Sequence, residues 1–286
     1  MRLDGRRESS NVVDRRGRGA KGMSLGIGGI IIVGLITLLL GGNPLETISQ
    51  LLSSSGTSIE QNTEYVETEQ ERELATLSKK ILAGTEDVWT KLFDEMGREY
   101  IPPKLVLYNQ AVQSGCGHAT SQTGPFYCSA DQCVYIDLSF FQQMRQTLGV
   151  NGDFAYAYVI AHEVGHHVQY LLGTLNAVHQ EQRQLSEKEA NKLSVRLELQ
   201  ADYYAGVWAY HDDKMFNSID ENDIKRGLET ATAIGDDRLQ MQAQGYTVPD
   251  SFNHGTSDQR MRWLKKGLET GNVEGGDSFS IPYSSL

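Results

Sequence analysis

The sequence predicts an α+β chain weighted toward helix, placed behind a single N-terminal transmembrane helix. Three observations carry this. Met23–Gly42 is a run of 20 residues without a charge. Two short apolar strands lie in a stretch punctuated by Gly and Pro, between residues 102 and 138. Beyond Phe154 the chain continues in long helical segments with no proline inside them. The 286 residues suffice for one sizeable domain or two small ones. With 29 Gly and 6 Pro, collagen-like and Pro/Gly-rich disordered classes are excluded.

Charge is spread unevenly along the chain. Residues 1–22 hold seven basic groups and three acids, while the rest holds 19 basic and 34 acidic groups. An acidic body repels phosphate backbones, which excludes nucleic acid as a partner. A 20-residue helix spans about 30 Å, the hydrocarbon thickness of a bilayer. Basic groups precede the run, and the first positive charge after it is Arg72. The positive-inside rule then keeps residues 1–22 in the cytoplasm as a basic tail and sends the body across. The lipid bilayer is thus an expected partner. The tail is too long for the n-region of a signal peptide, and no A-x-A site follows the apolar run, so the anchor is expected to be retained.

Residues 43–70, with a serine-rich run and then Glu60, Glu64, Glu67 and Glu69, read as a polar acidic tether. The folded domain is expected over 71–286. Leu74, Leu77, Ile81, Val88, Trp89 and Leu92 recur at helical intervals from about Arg72 to Glu95. Lys104–Asn109 and Cys133–Leu138 read as strands; by fold analogy rather than from its residues, the second is expected to serve as a sheet edge that takes an extended peptide by strand addition. Cys116, Cys128 and Cys133 all fall in this region; beyond the membrane one disulfide is expected, with one thiol left over. Phe154–Leu172 reads as a helix capped by Asp153 and ended by Gly173, and further helices are expected near 186–212, 219–241 and 257–269.

The strongest chemical signal is His162-Glu163-Val164-Gly165-His166. Residues i and i+4 lie one above the other on a helix, so both imidazoles can take adjacent corners of a zinc tetrahedron. Glu163 sits beside that position, where a carboxylate can accept a proton from zinc-activated water. His167 points about 100° round the helix from His166 and reads as structural. A zinc hydrolase needs a third protein ligand and an open fourth position. The continuation HExxH-x-x-G-x-x-H is excluded, because Gln169 and Leu172 stand where Gly and His would be. Glu198 and Asp202, four apart in LELQADYYAG, are the better candidates: Glu198 to ligate, Asp202 to accept the spare ring N–H of His162. Asp202 itself, His179 and His211 are the rivals for third ligand. Ala201, Ala205 and Gly206 permit close approach to the first helix. A hydrogen-bond donor to the oxyanion is also needed, with His254 as the candidate, placed before a helix capped by Thr256 or Ser257, and Tyr203 or Tyr204 as alternatives.

Taken together, the segments RRESSNVVDRRG, CGHATSQTGPFYCSADQCVYIDLSFF, HEVGHHVQ, LELQADYYAG, GDDRLQ and NHGTSDQRMRWLKKG resemble the neutral zinc metallopeptidase family of bacterial membrane-anchored proteins. The resemblance covers almost the whole chain. It implies a zincin-like catalytic core, zinc held by His162, His166 and Glu198, Glu163 as base, and a Cys116–Cys128 disulfide, with Cys133 a departure. The resulting expectation is a single-pass zinc metallopeptidase of the bacterial inner membrane, its catalytic domain outside the cytoplasm and its substrate a peptide or protein. Two other readings share the motif: zinc hydrolysis of a non-peptide amide such as a cell-wall linkage, and a tethered binding or assembly factor with a structural zinc. An open fourth coordination position separates the enzymes from the last. Nothing in the sequence sets the oligomeric state.

Overall fold

The structure, a computed structural model, describes residues 1–17, 65–150 and 152–286. The expected transmembrane helix at 23–42 and the tether at 43–64 lie outside those residues. Among the described residues no helix is long and apolar enough to cross a membrane.

The body is α+β and helix-rich. Helix α1 (Glu69–Glu95) starts earlier than apolar periodicity suggests. The Thr68 hydroxyl accepts from the Glu71 amide at 3.2 Å, and the Glu71 carboxylate accepts from the Thr68 amide at 2.9 Å. This reciprocal cap stabilises a first turn with no apolar residue to reveal it. The last residues assigned to the tether, 65–70, therefore belong to the body.

Four strands form the main sheet: β1 (Val12–Asp14), β2 (Lys104–Tyr108), β5 (Phe126–Cys128) and β6 (Cys133–Asp137), in the order β1-β2-β6-β5. Strands β1, β2 and β6 run parallel, and β5 is antiparallel to β6. The expectation that Cys133–Leu138 forms a sheet edge is corrected, since β6 has neighbours on both sides and the edges are β1 and β5. Every residue of β6 is buried, as a strand covered on both faces requires. Between β2 and β5 lies the hairpin β3 (Ala111–Ser114)–β4 (Gly117–Thr120). Cys116, in its turn, is disulfide-bonded to Cys128 of β5. Cys133 is free, buried and opposite Cys128 in the ladder.

Strand β1 comes from the segment read as a separate tail, and residues 1–17 pack on the body. The Leu105 amide donates to the Asn11 carbonyl at 2.8 Å, and Val13 aligns with Val106. Arg6 grips Asp212 with two hydrogen bonds, of 2.7 and 3.2 Å. Ser9 and Asn11 donate to Glu86 at 2.5 and 2.8 Å, and Arg7 pairs with Glu86 and Asp87. Glu86 and Asp212 are buried, so the tail neutralises two charges the body has taken out of water. The unit therefore does not begin at residue 71. The partners of Arg6 and Arg7 lie far away in sequence, where charge counting along the chain does not find them.

The remaining helices are α2 (Ser139–Leu148), α3 (Asp153–Leu172), α4 (Thr174–Gln182), α5 (Glu187–Phe216), α6 (Glu221–Ala233), α7 (Asp236–Gln244) and α8 (Ser257–Thr270). Helix α3 is central and meets α1, α5 and α6. Asp153 is in its first turn rather than capping it; the cap residue is Gly152, at φ 108°. Gly165 of α3 faces the Ala201 backbone of α5, where a Cβ would come within 2.9 Å of the carbonyl oxygen. Gly206, by contrast, meets Gly267 of α8 rather than α3. The expected helix 219–241 is two helices, because the Ser257 backbone occupies the space a Cβ on Gly235 would need. That break starts α7 directly beneath the loop carrying His254.

Candidate metal centre

His162 and His166 lie on α3, and Glu198 lies on α5. Gly165 and Ala201 let the two helices approach closely enough for these side chains to meet. Their ligand atoms all fall within 4.8 Å of one another. His162 Nε2 is 3.1 Å from Glu198 Oε2, and His166 Nε2 is 3.4 Å from Glu198 Oε1. Tetrahedral zinc with bonds of about 2.1 Å needs ligand atoms about 3.4 Å apart; the two His–Glu198 separations are close to that, and two imidazoles with one carboxylate are a zinc donor set in kind. Three ligands leave a fourth position, and His166 and Glu198 are partly exposed.

Each imidazole is oriented through its other nitrogen. His162 Nδ1 donates to Asp202 Oδ1 at 2.8 Å. Asp202 also accepts from the Tyr158 hydroxyl at 2.6 Å and from Arg260 Nε and Nη2 at 2.9 and 3.0 Å. Burial favours a neutral Asp202, but Arg260 and His162 outweigh it and keep its pKa below the ordinary value. His166 Nδ1 donates to Gln169 Oε1 at 2.8 Å. The Gln169 amide donates in turn to the Leu197 carbonyl and to Gln200 on α5. Gln169, noted in the sequence only as a departure from another motif, therefore fixes one ring and ties the two helices together.

Burial also opposes charge on Glu198, yet the charges of His166 and His254 and the hydrogen bonds from both α3 histidines hold its carboxyl well below 4.5. In the metal-free site, burial pulls the His162 imidazolium down, but Asp202 and Glu198 raise its pKa to about 10.

Of the rivals for third ligand, Asp202 is engaged by His162 and Arg260. His211 Nε2 donates to the Gly271 carbonyl at 2.8 Å, and neither His179 nor His211 joins the cluster among the described residues. Tyr203 donates to the Asn272 carbonyl at 2.6 Å, and Tyr204 is buried against Trp89; both are core residues. His254 is half-exposed, its Nδ1 3.2 Å from Asp236 Oδ1. Asp236 Oδ2 accepts the amides of Asn253, His254 and Gly255 at 2.7–3.0 Å, which shapes the loop. Desolvation lowers the His254 pKa, but Glu198 and Asp236 outweigh it and raise it above 6.5. The following helix is capped by Thr256, in a reciprocal cap with Gln259.

His167 is structural. Its Nε2 donates to the Ile101 carbonyl at 2.7 Å and its Nδ1 accepts from the Tyr127 hydroxyl at 2.9 Å. Burial lowers its pKa from 6.5 to about 4, opposed by the Ile101 bond. Between those values the unfolded chain binds more protons than the folded one. Its contribution to stability is complete above pH 6.5 and is lost as pH falls through 4. Between pH 7 and pH 5 the native protein is expected to lose roughly 2 kcal/mol more unfolding free energy in urea than His167→Gln. Equal losses in the two proteins would show that His167 is not held neutral.

Arg260 and Asp236, besides Tyr158, are functional candidates the sequence reading did not single out. Both lie in quoted segments, NHGTSDQRMRW and GDDRLQ, yet each gains its meaning only from a distant partner. Arg260→Met removes the clamp on Asp202 and is expected to weaken zinc retention by about 10–100-fold in a chelator competition, with Arg260→Lys in between. Unchanged retention in Arg260→Met would show that Tyr158 and His162 hold Asp202 without it.

The "Putative neutral zinc metallopeptidase" family matches residues 1–279. The uncharacterized protein YpfJ of Escherichia coli K12 is 48% identical over 280 residues, which cover 95% of this chain and 96% of YpfJ. The uncharacterized protein Rv2575 of Mycobacterium tuberculosis H37Rv is 41% identical over 191 residues, 63% of this chain and 64% of its own length. No solved structure matches.

Proposed function

The chain belongs to the neutral zinc metallopeptidase family, and from that premise we propose that it hydrolyses peptide bonds at a zinc centre held by His162, His166 and Glu198. The observation that carries this reading is the convergence of two Nε2 atoms and one carboxylate on a single point, with both Nδ1 atoms engaged elsewhere. Held by these three residues, zinc would supply Lewis-acid chemistry for polarising the scissile carbonyl and acidifying water.

The protein supplies the rest. Glu163, one residue from His162 on α3, takes the proton of the attacking water and delivers it to the leaving amine. His254, held by Asp236 and with a raised pKa, donates a hydrogen bond to the developing oxyanion. Asp202, fixed by Arg260 and Tyr158, keeps the His162 proton on Nδ1 and leaves Nε2 free for metal. Edge strand β5 offers backbone groups to an extended substrate, and its Tyr127 contacts His167 of α3. The apolar run at 23–42 attaches the protein to a membrane, and the Cys116–Cys128 bond favours an oxidising compartment for the body.

The test is to incubate the full chain in detergent with a diverse peptide library, with chelator, and with chelator followed by zinc. Cleavage abolished by chelator and restored by zinc supports the reading. Cleavage indifferent to chelator, or none in a protein carrying one zinc per chain, rejects it.

A further inference from the structure

The two described ends that flank residues 18–64 touch each other. Arg16 Nη2 donates to Glu67 at 2.9 Å and its Nη1 to the Glu71 carbonyl at 3.3 Å, with the Arg16 side chain 6% exposed. Gly17 lies so close to Tyr65 that any side chain at 17 would collide with it. The chain therefore leaves the body at Gly17 and re-enters it at Tyr65, at one place on the surface.

The segment that ends at Gly17 is built into the body. Strand β1 completes the parallel edge of the sheet, and Arg6, Arg7, Ser9 and Asn11 supply partners to the buried carboxylates of Asp212 and Glu86. A bilayer has a hydrocarbon core of about 30 Å. Residues on its far side would leave β2 as an edge strand, paired with β6 alone, and both carboxylates without these partners. Three of the seven basic groups that suggested a cytoplasmic tail have carboxylate partners in place: Arg6 with Asp212, Arg7 with Glu86 and Asp87, Arg16 with Asp14 and Glu67.

We propose that residues 1–17 and the catalytic body stand on the same side of the membrane, with the Gly17–Tyr65 junction facing the bilayer. Whatever path residues 18–64 take, both ends of that segment meet the body at this junction. Only residues 18–22 separate Gly17 from the apolar run, a reach of at most about 20 Å. The membrane therefore lies close to this face. The inference replaces the single-pass topology expected from charge asymmetry and does not depend on the catalytic reading.

Two single-cysteine reporters test it in the full chain in its own membrane: Ser10→Cys, at an exposed position of the N-terminal segment, and Lys225→Cys, with its side chain 74% exposed on α6. Each is treated with a membrane-impermeant maleimide in intact spheroplasts and again after lysis, beside the unsubstituted parent as control. The ratio of intact to lysed labelling is expected to agree between the two sites within about twofold, whether both are open or both are protected. A tenfold or greater disagreement, with one site labelled in intact spheroplasts and the other only after lysis, would overturn the proposal.

Discussion

Glu163→Gln is expected to keep zinc near one per chain while peptide cleavage falls by at least two orders of magnitude. Gln preserves the size of the side chain and most of its hydrogen bonding but cannot accept the proton of an attacking water. General-base catalysis is typically worth about 10²–10⁴-fold, which sets the scale. Glu163 lies outside the His162–His166–Glu198 cluster, so metal content should be unaffected. Glu198→Ala is the contrast, because it removes a ligand and should lose zinc and activity together. Elemental analysis beside peptide cleavage for both variants separates the roles. If Glu163→Gln loses zinc as readily as Glu198→Ala, then Glu163 is a ligand and the assignment of the base fails.

Removing residues 1–70 is expected to cost most of the stability of the body. The truncation strips β1 from the sheet and leaves Glu86 and Asp212 buried without Ser9, Asn11, Arg7 and Arg6. Losing one partner of a buried ion pair costs about 3–5 kcal/mol, and a whole domain is stable by only about 5–15 kcal/mol. The truncated chain should be unfolded or should melt far below the full chain in detergent. Glu86→Gln with Asp212→Asn in the truncated chain removes the stranded charges and should restore part of the loss, whereas the same pair of changes in the full chain should destabilise it. A truncated chain with the urea midpoint of the full protein would show that the N-terminal segment contributes nothing. It would also remove the energetic basis for placing that segment and the body on one side of the membrane.

Much of the candidate site was legible in the sequence because its spacing is local. His162 and His166, and likewise Glu198 and Asp202, are four residues apart, and helix geometry alone puts each pair on one face. The long helices α3 and α5 announced themselves through periodicity and, for α3, a terminal glycine in left-handed conformation at Gly173. The less legible parts were those where a local pattern had two meanings. Alternation in Cys133–Leu138 marks a strand at an edge or inside a sheet alike, and only the tertiary context pairs β6 on both sides and buries all of it. Basic residues before an apolar run suggested membrane orientation, while their acidic partners on α1 and α5 gave them another purpose.

The sequence by itself determined the helix-rich α+β class and the spacing of the pairs His162/His166 and Glu198/Asp202, because each follows from periods of two to four residues along one backbone. Only the tertiary structure decided what holds the donors in place: Gln169 on His166, Arg260 on Asp202, Asp236 beneath His254. It also decided that the N-terminal segment belongs to the body. Arg260 reaches Asp202 across 58 residues and Arg6 reaches Asp212 across 206. No local period encodes such contacts. They exist because a charge buried by packing must find its partner wherever the fold brings one within reach.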